Sequence, residues 1–180
     1  AFKVSRKDYS GFHIAASHSD SPTLKIKESS EMNVENQYVK LNVEKYGGML
    51  CAPWFDRPLS VAGRIIVKDG NRLTTKLINV DRDLLMIPNL AIHMNREVND
   101  GYKYNIQKDM LPLYRMSNSG KAFKEMIAEE AGVSVDQIKG MDLFLYNRME
   151  GTIWGCDGEF ISAPRLDDLQ CAFTSTMALL

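Results

Sequence analysis

Alternating hydrophobic and polar side chains predict β-strands in the first half of the chain. Residues 23–27 (TLKIK) alternate in this way, and residues 38–44 (YVKLNVE) alternate strictly. The second pattern places Val39, Leu41 and Val43 on one face of a strand, with polar side chains on the other. A period of two residues is the signature of a strand with one buried face.

A buried strand is predicted before these segments, and a β-hairpin is predicted after them. Residues 59–68 and 72–80 flank the sequence Asp-Gly-Asn at positions 69–71, which is typical of a tight hairpin turn. Nearer the beginning, residues 12–17 (FHIAAS) form a short apolar run, as expected for a buried strand. A polar loop at residues 18–22 follows this run.

Helical periodicity dominates the second half of the chain. Residues 120–131 predict a helix that ends at Gly132, and residues 134–137 have the spacing of a capping box. Residues 141–146 (MDLFLY) form an apolar run typical of a buried strand. A last helix is predicted from near Asp167. Its apolar face comprises Leu169, Phe173, Met177 and Leu180.

This order of elements predicts an α/β fold interrupted by a β-rich domain. We expect residues 1–23 and 111–180 to form part of an α/β domain whose sheet contains the apolar runs 12–17 and 141–146. Residues 24–110 are expected to form the inserted β-rich domain. The chain begins without methionine and ends within the last helical pattern, so we expect it to be part of a longer polypeptide.

Composition narrows the classes of function. The chain has 180 residues, 44% hydrophobic and 25% charged, with a net charge of -1. This near-neutral balance argues against nucleic acid or an anionic membrane as the partner, and the apolar runs are too short to span a bilayer. The three cysteines have no metal-binding spacing and predict free thiols in a reducing compartment, with the cytoplasm as the default.

The loop after the first apolar run carries the first candidate site residues, His18 and Asp20. Residues two apart in extended chain point the same way, so the carboxylate can orient a histidine that binds a metal through its other ring nitrogen. The position beyond a buried strand is where α/β folds place ligands. An ordinary polar loop would show the same short pattern.

A second candidate is the acidic pair Asp167 and Asp168 at the start of the last helix. One of these carboxylates could bridge two metal ions. Helix capping is the simpler explanation, because acidic side chains are favoured at helix N-termini. His93, in the sequence LAIHM, is by itself typical of a surface or packing histidine.

Four separate blocks of sequence together resemble the aspartyl aminopeptidase family, which includes vacuolar aminopeptidase I. The blocks are residues 11–27 (GFHIAASHSDSPTLKIK), 46–65 (YGGMLCAPWFDRPLSVAGRI), 87–94 (IPNLAIHM) and 158–173 (GEFISAPRLDDLQCAF). They occur in the order found in the family and together span nearly the whole chain. The resemblance is therefore specific, although each motif alone is weak.

The resemblance implies a peptidase with two divalent metal ions, expected to be Zn²⁺, that removes an N-terminal residue, often aspartate or glutamate. It implies that His18 binds one metal, that Asp20 supports this histidine, and that Asp167 is shared by both metals. The inserted β-rich domain would mediate dimerisation within a twelve-subunit homo-oligomer. His93 would then reach the active site of the neighbouring subunit.

Several features of this chain limit how much of the family's function can be assigned to it. The family's Glu-Glu pair, which provides the general base, follows the shared aspartate, so it would lie beyond residue 180, as would the remaining ligands. Glu129 and Glu130 cannot be that pair. The family often has asparagine where this chain has Asp168. Imidazole and carboxylate ligands suit cobalt and manganese as well as zinc. A non-catalytic oligomerisation module, or a related metallopeptidase or deacylase, remains an alternative.

Overall fold

The computed structural model describes residues 1–4, 8 and 10–180, which form two compact units. One unit is the continuous segment of residues 22–149, and the other combines residues 1–21 with residues 150–180. We refer to them as the sheet unit and the terminal unit. No helix among the described residues is long and apolar enough to cross a membrane.

The sheet unit is built on six antiparallel strands in the spatial order β4-β3-β6-β1-β2-β5. They are β1 (Thr23–Val34), β2 (Tyr38–Tyr46), β3 (Leu59–Asp69), β4 (Arg72–Asn79), β5 (Leu113–Met116) and β6 (Ile138–Asn147). The predicted hairpin is confirmed as β3 and β4, which pair without a register shift from Asp69 opposite Arg72 to Ala62 opposite Asn79. The alternation in β2 is also confirmed, because Val39, Leu41 and Val43 are buried.

One position in β3 requires glycine because two strands approach closely. Gly63 has a φ of +150°, and a Cβ atom there would lie 2.2 Å from the carbonyl oxygen of Asp142 on β6. Any side chain would therefore push β3 away from its neighbour. The pairing of Gly63 with Leu143 is thus fixed by the absence of a side chain.

The sheet unit also contains α1 (Ile106–Asp109), α2 (Phe123–Ala131) and four short 3₁₀ turns, at Ala52–Trp54, Ile92–Met94, Val98–Asp100 and Val135–Gln137. Helix α2 buries Phe123, Met126, Ile127 and Ala128. It ends at Gly132, which has left-handed backbone angles as predicted. Its N-cap is Ala122, so the helix starts at Phe123 instead of at residue 120 as the sequence predicts.

Helix α2 can begin at Phe123 because two glutamates accept hydrogen bonds from the backbone amides of Phe123 and of the N-cap Ala122. The carboxylate of Glu125 accepts a hydrogen bond from the N–H of Ala122 at 2.9 Å. Glu31 of β1 accepts one from the N–H of Phe123 at 2.7 Å. These acceptors replace the side-chain cap that a serine would provide.

The terminal unit contains a short hairpin, β7 (Thr152–Trp154) with β8 (Phe160–Ser162), and helix α3 (Leu166–Leu179). The predicted strand at residues 12–17 is wrong, since these residues form no strand and their side chains are exposed. An apolar run indicates a tendency to be buried, but it does not supply a neighbouring strand to pair with.

The sheet assigned to residues 141–146 also requires correction. They form a strand as predicted, but it is the central part of β6 and pairs with β1 and β3 of the sheet unit. The β-rich unit accordingly extends to residue 149, whereas the sequence predicts a boundary between residues 110 and 111. The apolar run identified the strand correctly, but a local sequence pattern does not specify pairing partners far apart in sequence.

Candidate metal centre

The loop before β1 holds His18 in a defined orientation. Its Nδ1 lies 2.9 Å from the backbone carbonyl oxygen of Asp20 and 3.2 Å from that residue's carboxylate Oδ1. A carbonyl oxygen only accepts hydrogen bonds, so Nδ1 carries the proton and donates it. The lone pair of the neutral imidazole is therefore on Nε2, the atom available to a metal.

The start of helix α3 brings two carboxylates towards this nitrogen. Nε2 of His18 lies 3.6 Å from Oδ1 of Asp167 and 3.8 Å from Oδ2 of Asp168. Residue Arg165, just before the helix, has left-handed backbone angles, and the peptide bond between the two aspartates is cis. The Asp167 side chain is 93% exposed, whereas that of Asp168 is only 16% exposed.

Two hydrogen bonds fasten the histidine loop to the helix start. The backbone N–H of His18 donates to Oδ2 of Asp168 at 3.0 Å, and the hydroxyl of Ser21 donates to the carbonyl oxygen of Asp167 at 3.3 Å. The structure thus brings His18, Asp20 and Asp167 together across nearly the whole chain. It does so without the buried strand that was predicted at residues 12–17, just before His18.

The protonation of the site follows from these contacts. The hydrogen bond to the Asp20 carbonyl, reinforced by the surrounding carboxylates, raises the pKa of His18 above its ordinary value of 6.5. Hydrogen bonds from the Cys171 thiol and the His18 backbone amide lower the pKa of Asp168. The same carboxylate raises the pKa of Cys171, which therefore stays a thiol near neutral pH.

Asp168 and Cys171 form a contact that the sequence analysis did not identify. They are three residues apart, and Asp168 has non-helical backbone angles just before the regular part of α3. This is the spacing at which an N-cap side chain accepts hydrogen bonds from the third helical residue. The thiol donates to Asp168, which also accepts the His18 amide. The sequence contained a signal for this contact. A hydrogen-bonding side chain such as Cys171, one turn after an aspartate at a helix start, can hold that carboxylate in place.

The donor atoms fit part of a metal site. Two ligand atoms on one tetrahedral zinc are about 3.3–3.6 Å apart, given bond lengths of about 2.0–2.2 Å. The 3.6 Å between His18 Nε2 and Asp167 Oδ1 is close to that separation. Among the described residues, no group of three or more His, Cys, Asp or Glu side chains is arranged to hold a metal ion. The chain therefore fits an incomplete ligand set.

His93, the remaining predicted site residue, lies in the other unit. It occupies the middle of the 3₁₀ turn Ile92–Met94 in the sheet unit, and its side chain is exposed. An exposed imidazole on a short turn is unsuited to a packing role, which requires burial. It can be reached by another molecule.

Comparison with known proteins identifies the family. The family model described as "Aminopeptidase I zinc metalloprotease (M18)" matches residues 1–180. The chain belongs to this family of zinc metalloproteases.

Curated relatives agree with this assignment. A protein named probable M18 family aminopeptidase 2 from Clostridium acetobutylicum is 49% identical over 176 residues, covering 94% of this chain and 40% of the relative. A relative of the same name from Clostridium novyi is 44% identical over 175 residues, with the same coverage. The chain thus spans about two fifths of the length of these curated relatives.

Solved structures share the fold. A chain of the structure described as the Ape4 and Nbr1 complex superposes with a TM-score of 0.82 at 31% identity, over 91% of this chain and 35% of that one. The mApe1 structure from Chaetomium thermophilum gives a TM-score of 0.76 at 33% identity, over 91% and 40%. The large antiparallel sheet with its helices is therefore the M18 architecture.

Proposed function

We propose that this chain provides the first ligands of a two-metal centre in an aminopeptidase that releases an N-terminal residue, preferably aspartate or glutamate, from peptides. The observation that carries the proposal is the approach of His18 Nε2 to Asp167 Oδ1, at 3.6 Å, in a member of a zinc aminopeptidase family. The second ion and the acidic preference rest on the resemblance of the four sequence blocks.

Each residue of the site has a distinct task in this proposal. Asp20 fixes the tautomer and orientation of His18 through the contact at Nδ1. Asp167 presents one carboxylate oxygen towards Nε2 of His18, and its exposed side chain would also help to hold the second ion. Bound zinc would polarise the scissile carbonyl and make water a stronger nucleophile. Asp168 positions the backbone of His18.

The rest of the site would come from the remainder of a longer polypeptide. The curated relatives are about two and a half times as long as the matched segment, since it covers 40% of them. The terminal unit exposes large apolar side chains, among them Ile14 at 86% and Phe173 at 65%. Surface of this kind normally packs against other protein. We propose that the remainder covers it and supplies the general base and further ligands.

We also propose that the protein is a cytoplasmic homo-oligomer that dimerises through the β-rich domain. One structural relative is described as the mApe1 dodecamer of S. cerevisiae. His93 would then serve the active site of the partner, donating a hydrogen bond to the oxyanion that develops at the scissile carbonyl. The cytoplasmic location is supported by the three cysteines, which are all free.

The metal assignment is tested by measuring bound zinc per chain. In the longer polypeptide, His18→Ala and Asp167→Asn should each lower zinc content and abolish turnover of aspartyl and glutamyl substrates. His13→Ala is the matched control, because His13 is an exposed histidine in the same segment. Zinc content equal to that of the parent in both variants would refute the assignment, whatever happens to activity.

The role of His93 is tested by complementation between subunits. His93→Ala should lower turnover about 10²–10³-fold, the usual effect of losing one oxyanion donor, without changing the melting temperature. Mixing this variant with an inactive His18→Ala variant should restore some activity, because a mixed dimer contains one complete site. If subunits exchange and no activity returns, His93 does not act across the interface.

One observation favours the alternative of a non-catalytic assembly module. Every buried hydrophobic side chain of the described residues lies between Leu24 and Leu145, within the sheet unit. A module of this kind needs no metal. Zinc content that is unchanged by both ligand variants, together with intact self-association, would support this alternative over the peptidase.

A further inference from the structure

Strand β4 is an edge of the six-stranded sheet and carries an apolar surface. All its residues are exposed except Ile78. Leu73 and Leu77 are 66% and 84% exposed, and they lie with Thr75 on the same face of the strand because side chains alternate. Edge strands of soluble proteins are usually protected by charged residues, but this face of β4 has none.

The backbone of β4 is arranged to accept another strand. The N–H of Val80, which follows the strand, donates to the carbonyl of Val61 at 3.0 Å, and the β3–β4 register runs without a shift. Even-numbered residues of β4 therefore bond to β3, whereas Leu73, Thr75 and Leu77 direct their N–H and C=O groups towards the open edge. In the described part of the chain, no other strand pairs there.

We propose that β4 pairs antiparallel with β4 of a second copy of this chain, with the two-fold axis at Thr75. In this register Leu73 lies opposite the partner's Leu77, and Thr75 opposite the partner's Thr75. The outward N–H and C=O groups of all three residues then form hydrogen-bonded pairs. The contact is isologous, as two-fold symmetry requires.

The amino-acid sequence of β4 selects this register over its neighbours. Moving the axis to Lys76 would place two lysines opposite each other, and moving it to Thr74 would place Arg72 opposite the partner's Lys76. Like charges in directly opposed positions destabilise a strand pair. Only the axis at Thr75 matches each exposed leucine with a leucine. In this register the strand pairs leucine with leucine and brings no like charges into opposed positions.

The opposite face of β4 is already in use within the subunit. Ile78 is buried, and the amino group of Lys76 donates to the carbonyl of Ala131 at the end of α2. The exposed leucines are therefore not needed for the intrachain core. The pairing deepens the proposed homo-oligomer, and it rests on that proposal for the identity of the partner.

Disulfide cross-linking tests the register directly. In an antiparallel hydrogen-bonded pair the Cα atoms are about 5.5 Å apart, within the range of a disulfide. Thr75→Cys should therefore form a cross-linked dimer under mild oxidation. Leu77→Cys is the matched control, because in this register the two introduced thiols would be displaced by about 14 Å along the strands. The parent chain, with its three native cysteines, gives the background.

Charge substitutions test the same register in solution. Leu73→Lys with Leu77→Lys places lysines opposite each other, and we expect it to weaken dimerisation at least about tenfold in sedimentation experiments. Leu73→Lys with Leu77→Glu places opposite charges across the two-fold axis, and we expect dissociation within about threefold of the parent. Both pairs are exposed, so circular dichroism should show an unchanged fold.

The results separate two kinds of failure. A parent chain that dimerises equally well in every variant, with no excess cross-linking of Thr75→Cys, would overturn the role of β4 and leave the oligomer standing. A parent chain that stays monomeric at all concentrations would overturn the self-association itself. Neither result affects zinc binding by His18 and Asp167, which is measured independently.

Discussion

The carboxylate of Glu31 is predicted to hold helix α2 against the sheet, and replacing it should destabilise the sheet unit measurably. Glu31 accepts the N–H of Phe123 at 2.7 Å through one oxygen and is bonded by Arg115 at 3.2 Å through the other. Phe123 is fully buried, so its orphaned amide would have little access to water. Arg115 would keep three carbonyl partners at Met116, Ser117 and Ser119.

The expected loss in free energy of unfolding follows from removing the charged acceptor at the start of α2. A hydrogen bond to a charged group contributes about 1.5–3 kcal/mol, and an ion pair that water still reaches adds about 0–1 kcal/mol. Glu31→Ala should therefore lower the free energy of unfolding by about 2–3 kcal/mol. Glu31→Gln keeps an oxygen acceptor for Phe123 but loses the charge, so it should cost about 1 kcal/mol.

Urea unfolding followed by tryptophan fluorescence can measure this difference in the sheet unit alone. The chain has two tryptophans, so a Trp154→Phe background leaves Trp54 of the sheet unit as the only probe. Glu28→Ala is the matched control, because Glu28 is an exposed glutamate on the same strand. A cost for Glu31→Ala no greater than for Glu28→Ala would refute the reasoning.

Two further predictions concern the metal centre. Protons and zinc compete for Nε2 of His18, and the Asp20 carbonyl and neighbouring carboxylates raise the pKa of this residue. Zinc affinity should therefore fall as the pH decreases, and the fall should begin above the ordinary histidine value of 6.5. Affinity independent of pH would contradict binding at His18. The 180-residue chain without further sequence should show no hydrolysis of aspartyl or glutamyl substrates with added zinc, cobalt or manganese, because no three-ligand cluster exists among its described residues; robust turnover would contradict an incomplete site.

Local sequence signals predicted the elements that depend on neighbouring residues. The β3–β4 hairpin follows from its glycine turn, and the stop of α2 follows from Gly132, whose backbone angles are left-handed. The start of α2 could not be predicted in the same way. Its acceptor, Glu31, lies on a strand that is 92 positions away in sequence from Phe123.

Strand partners and the geometry of the site were harder to predict from the sequence. The apolar runs at residues 12–17 and 141–146 have the same appearance in the sequence, yet one is exposed and irregular and the other is the middle of β6. Their difference lies in long-range pairing, which alternation does not specify. The meeting of His18 with Asp167 was expected from family resemblance and not from any spacing rule, since nearly the whole chain separates them.

The hydrophobic core and the proposed metal ligands lie in different units of the chain. The sheet unit contains all the buried hydrophobic residues of the described chain, whereas the terminal unit carries His18, Asp20 and Asp167. Catalytic ligands must be held rigidly to bind a metal with useful geometry. Four polar contacts, including the bond from His18 to Asp168, provide this order within the terminal unit. These polar contacts hold His18, Asp20 and Asp167 in place without a hydrophobic core around them. In the proposed enzyme, the rest of the protein would pack against this ordered site and supply the remaining ligands.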